Sequence, residues 1–137
     1  MSNWKLKSVE NIESANSLIA KSKFCSSVHC SYYSNVQLMY HILRTEFKKT
    51  DSEIAIESKE GAKKHKGSHN WLINYFVRQI GLKEFMAITD FNNFINELKN
   101  ARIKADYKNE LINKPVAKKC IEISIEVTDM LTKYFKT

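Results

Sequence analysis

Between Ser27 and Phe47, apolar and aromatic side chains recur at the helical period: Val28, Tyr32, Val36, Met39, Leu43 and Phe47. A second stripe of His29, Tyr33 and Tyr40 runs beside the first. A helix that is apolar or aromatic over much of its circumference is central in its own fold or shared with a partner chain. This segment therefore obliges the rest of the chain to cover it. The composition agrees with helices as the cover: the sequence has 3 Gly and 1 Pro, and the helix formers Lys, Glu, Leu and Ala are plentiful. At 137 residues it has the size of one ordinary domain, large enough to bury a core without staples.

Four further segments carry helical patterns. The first spans about 8–22, with Val9, Ile12, Ala15 and Ile19 on one side. Ser68 is a good N-cap for a helix running to Ile80, with Trp71, Leu72, Tyr75 and Phe76 as its apolar face and Gly81 as its stop. Asp90 caps a pattern from Phe91 to about Tyr107. Pro115 suits the first turn of a last helix, with Val116, Cys120, Ile123, Val127, Leu131 and Tyr134 at helical spacing. Within it Ile121–Val127 alternates strictly and in isolation reads as a strand. The stripe extends well beyond those seven residues and begins with a proline start signal, so helix is expected. Residues 48–67 are polar, contain two glycines and show weak periodicity, with only Ile54-Ala55-Ile56 hinting at order. The expected fold is all-α: an antiparallel four- to five-helix bundle forming a single domain over 1–137, with a flexible basic loop at about 48–67.

The charge and cysteine patterns bound the function. Net charge is +7, yet of the 22 basic residues only Arg44, Arg78 and Arg102 are arginine, and lysines spread over helix faces are ordinarily a solubility feature. The one cluster, Lys59 to His69, holds Lys63, Lys64 and Lys66. It is either a solvated segment or a phosphate-binding one. Cys25, Cys30 and Cys120 are odd in number and lack paired spacing, so no disulfide framework, zinc site or other metal is expected. No apolar run has signal-peptide or membrane-spanning length, which makes a cytoplasmic setting without membrane association the expectation. There is no phosphate-cradling glycine loop or nucleophile elbow, and no cofactor is expected.

Arg102 is the most informative charged residue. It falls on the stripe Phe91, Ile95, Leu98 and Ala105, roughly 40° from Leu98 at about 100° per residue. An arginine aimed at a core must find partners for five donors, and Asp106, four residues on, lies within reach on the same face. One reading is a buried pair that fixes helix register or dimer geometry. The other makes Arg102 a phosphate clamp, for which its planar fork of donors is suited.

Three elements, in this order, resemble the HEPN superfamily of small helical bundles in prokaryotic toxin–antitoxin and antiviral defence systems. They are Ser31-Tyr32-Tyr33-Ser34 on the second helix, Lys66-Gly67-Ser68-His69 opening a helix that continues to Phe76, and Arg102-Ile103-Lys104-Ala105-Asp106-Tyr107 before a closing helix. The resemblance covers about residues 8–135 and is nearest the branch often encoded beside minimal nucleotidyltransferases. It implies a symmetric homodimer, with RNA or a partner nucleotidyltransferase as ligand. Many members are metal-independent endoribonucleases that use an Arg, four to six intervening residues and a His. This sequence departs from that pattern. The positions after Arg102 hold Tyr107, Lys108 and Asn109, and those after Arg44 and Arg78 also lack histidine.

The residues expected to matter follow. Arg102 would line a basic groove at the dimer interface, flanked by Lys63, Lys64 and Lys66, with Asp106 and Tyr33 in a structural polar cluster. Tyr107 occupies a place where a ribonuclease member could have its histidine. A phenol of pKa near 10 is a poor base, so it would orient or donate a hydrogen bond, or be a modification target. His69, at a helix start where an anion is favoured, could replace the missing histidine across a shared cleft. The leading expectation is an RNA- or partner-binding regulatory protein. The alternatives are an endoribonuclease built from Arg102, Tyr107 and His69, or a purely structural dimerisation module.

Overall fold

A computed structural model describes residues 2–137. It is all-α, with helices α1 (Asn3–Ala20), α2 (Phe24–Thr45), α3 (Asp51–His65), α4 (Ser68–Lys83), α5 (Ile88–Tyr107) and α6 (Lys114–Tyr134), and a 3-10 turn (Phe85–Ala87) before α5. No strand occurs among the described residues, and no helix there is long and apolar enough to cross a membrane.

α2 is the axis. Val28, Tyr32, Val36, Met39, Ile42 and Leu43 are buried, against α1, α4, α5 and α6. Its apolar circumference is thus satisfied within one chain. The α1–α2 seam runs antiparallel and is closed by small polar residues. Ser8 Oγ donates to Ser34 O at 2.7 Å, Ser34 Oγ donates to Ser8 O at 2.8 Å, and Ser27 Oγ donates to Ala15 O at 2.8 Å. α1 accordingly buries Ser8 and Ala15, while Val9 is exposed, contrary to the expected apolar face. The backbones approach too closely there for a branched side chain, and serine hydroxyls bond across the seam. α6 runs parallel to α2, with Ser124 Oγ donating to Ser31 O at 2.8 Å and Asn35 Nδ2 donating to Ser124 O at 3.0 Å.

Three boundaries need correction. The segment 48–67, expected as a flexible loop, is mostly α3. The Thr50 hydroxyl oxygen accepts from Glu53 N–H at 3.1 Å and lies 3.1 Å from the Glu53 carboxylate, so the N-cap half of a capping-box sequence starts this helix. Among the described residues the bundle therefore has six α-helices, where four to five were expected. Gly81 lies inside α4, where a Cβ would come within 2.6 Å of the Ile88 side chain. It is a close-packing residue, and α4 stops at Lys83. Finally, α5 begins at Ile88, two residues before Asp90, because it continues directly from the 3-10 turn. α6 is helical as expected. Asn113 accepts from Val116 N–H at 3.0 Å, and Ile121, Ile123 and Val127 are buried where the alternation had suggested a strand.

Candidate anion-binding site

The last two turns of α5 face the middle of α2 and the first turn of α4. Arg102 is 7% exposed there and, like Phe91, Ile95 and Leu98, lies on the buried face of α5. Its guanidinium carbon sits 4.9 Å from the Tyr32 ring centre, 5.6 Å from Tyr33 and 5.5 Å from Tyr107. Aromatic faces stabilise a desolvated cation, which is why this one is tolerated. Its polar contacts are long. Nη1 reaches the Tyr107 hydroxyl at 3.4 Å, Nη2 reaches His69 Nδ1 at 3.5 Å, and buried Nε has no acceptor. The expected Arg102–Asp106 pair closes only to 3.9 Å, because the Asp106 carboxylate is taken by His29 Nδ1 at 2.8 Å. His29 in turn stacks on Tyr33.

The opposite wall comes from the α3–α4 turn. Lys66 ends α3 in the left-handed conformation (φ 60), and Gly67 follows at φ 128. No atom lies within 4 Å of a Cβ built on Gly67, so it is the backbone conformation that calls for glycine there. α4 then starts without a side-chain cap, and the first amide its own chain satisfies is that of Trp71, bonded to Gly67 O. The preceding amides are those a helix leaves free for an anion.

Tyr33, Lys66, Gly67, Ser68, His69, Asn70, Lys99, Arg102, Ile103 and Tyr107 line an open hollow of about 510 Å³. Its charged lining is cationic, with no carboxylate. Lys99, which bonds the Asn70 side-chain oxygen, is held below the usual lysine pKa by partial burial and by Arg102. His69 is likewise lowered, by burial first, then by Arg102 and Lys99, and so is neutral at pH 7. Its neighbours bear on its tautomer. Arginine can only donate, and burial raises the Tyr32 hydroxyl's pKa, so that group stays protonated. Tyr32 Oη, at 3.0 Å, can pair with Nδ1 in either direction, whereas Arg102 Nη2, at 3.5 Å, favours Nδ1 as an acceptor.

Among the residues singled out in the sequence, Arg102, His69, Tyr107, Tyr33 and Lys66 meet at one hollow, and Asp106 lies behind it on His29. Lys63 and Lys64 do not join them. Lys64 borders a separate hollow beside Glu57, Glu60 and Trp71, and Lys63 is exposed. In a helix, successive lysines fan out at about 100° and cannot converge as a loop would let them. The sequence reading missed Lys99 and Asn70. Lys99 precedes Arg102 by three, a same-face spacing that could have marked it.

The chain matches no family model, no curated protein and no solved structure. What the site does has to follow from its own chemistry.

Proposed function

We propose that the chain is a HEPN-like protein of a prokaryotic toxin–antitoxin or defence module that binds RNA by phosphate in the hollow centred on Arg102. One observation carries this reading. A buried guanidinium lacks a tight carboxylate partner, and it opens on a hollow whose other charged lining residues are lysines. A purely structural role would place Asp106 on Arg102, whereas Asp106 bonds His29. Tyr107 and Leu111, 72% and 91% exposed at and beyond the rim, leave surface for a second copy or for a nucleotidyltransferase partner.

The test is fluorescence polarisation of a single-stranded oligoribonucleotide at low and high salt, with wild type beside Lys99→Gln. Affinity that falls with salt and with the substitution supports the proposal; affinity indifferent to both overturns it. Light scattering at micromolar concentration checks the homodimer, and a monomer removes the shared-cleft version.

The convergence of Arg102, Tyr107 and His69 favours a second reading, an endoribonuclease. His69 Nδ1 faces Tyr32 and Arg102, so only Nε2 is left for acid–base work, and it acts as a base only in the tautomer that protonates Nδ1. Total RNA incubated in EDTA tests the enzyme reading: products that vanish in Arg102→Met indicate the enzyme, and intact RNA removes that reading.

A further inference from the structure

We infer that the hollow is built for a terminal phosphomonoester of an RNA strand rather than for its internal phosphodiesters, an inference that rests on the RNA reading above. Charge is the first reason. Arg102, Lys99 and Lys66 bring three positive charges to the lining, and the nearest carboxylate, Asp106, stands 3.9 Å behind Arg102 and is already bonded to His29. Even with Asp106 counted in full, a balance of two positive charges faces the hollow. A phosphodiester carries one negative charge. A phosphomonoester, with a second pKa near 6, carries close to two at neutral pH.

Donor geometry is the second reason. Tyr32, Tyr33 and Tyr107 surround the guanidinium, and its two Nη groups, held only by contacts of 3.4 Å and 3.5 Å, are the donors left to meet a pair of phosphate oxygens. The facing wall is lined by His69 and carries the first amides of α4. Lys99 closes the side between them. These donors approach from two walls, and a diester has only two non-bridging oxygens to meet them. A monoester has three. The α4 N-terminus alone would not single out a ligand. Arg102, more than nine-tenths buried with an unbonded Nε, supplies the independent sign that an anion belongs here.

The experiment is calorimetric titration of the full chain with one short single-stranded oligoribonucleotide in three forms: 5′-phosphate, 3′-phosphate, and hydroxyl at both ends. One phosphorylated form should bind roughly tenfold tighter or more, beyond the small general gain from added charge. That preference should disappear in Lys99→Gln and survive in Lys63→Ala, which lies outside the hollow. Which end is preferred tells whether a 5′ or a 3′ phosphate is read. Equal binding of all three forms overturns the terminal-phosphate inference and leaves RNA binding standing. No binding of any form overturns both. A preference that survives Lys99→Gln overturns the assignment to this hollow.

Discussion

At Arg102 stability and function pull in opposite directions. A charge taken out of water beside aromatic rings, with its nearest carboxylate at 3.9 Å, recovers only part of its desolvation cost. Replacing it with an apolar chain of similar length should relieve the core. Arg102→Met is expected to raise unfolding free energy by about 1 kcal/mol, read from urea midpoints, while abolishing RNA binding. Loss of folding instead would mean that the guanidinium holds the bundle together. His69 gives a pH prediction. Its folded-state pKa lies below the unfolded value of about 6.5, so between the two the unfolded chain binds more protons. The stability linked to neutral His69 is therefore complete above about pH 6.5 and is lost as pH falls through the lowered folded value. His69→Gln should flatten that part of the stability–pH curve. Phosphate binding would favour the imidazolium, so proton uptake on binding, seen by calorimetry in buffers of different ionisation enthalpy, is the matching expectation.

At the scale of elements, the α3–α4 hairpin sets the second wall of the site, and two helical glycines show why it was hard to read. Gly61 faces the Trp71 indole so closely that a Cβ would overlap the ring, and Gly81 meets Ile88 in the same way. Sequence reading treats both as punctuation, yet both are packing residues inside helices. α3 buries only Ile54 and Gly61, one of which gives no hydrophobic signal, so its period is almost invisible. The capping-box sequence Thr50-Asp51-Ser52-Glu53 was the available clue. Gly61→Ala should gain up to about 1 kcal/mol in helix propensity and lose about 1–3 kcal/mol to overpacking. The expected outcome is a net loss of stability in chemical denaturation. RNA affinity should weaken with it, because Lys66 and Gly67 are carried by this hairpin.

At the scale of the whole molecule, the net charge of +7 is a poor guide and the placement of three cations a better one. If Arg102, Lys99 and Lys66 are the groups that meet phosphate, single-stranded RNA affinity should fall with salt at a log–log slope of roughly −2. Titration across salt concentrations measures it directly. A much steeper slope would mean that the lysines dispersed over the helix faces bind as well, and the hollow would then be only part of the interface. α2, whose apolar girth had left a shared partner open, is covered by its own neighbours, so the exposed apolar side chains lie elsewhere, among them Tyr107 and Leu111 at one end and Leu82, Phe85 and Met86 around the turn before α5.

By itself the sequence determined the all-α class, the central place of α2, the start of α6 around Pro115, and the burial of Arg102. Each of these is written in periodicity or caps, which act over a few residues. Only the tertiary structure decided that Asp106 belongs to His29, that Lys99 joins the site while Lys63 and Lys64 leave it, and that α1 buries serines. Those outcomes depend on how closely two helices approach and at what rotation, and side chains far apart in the chain set that jointly.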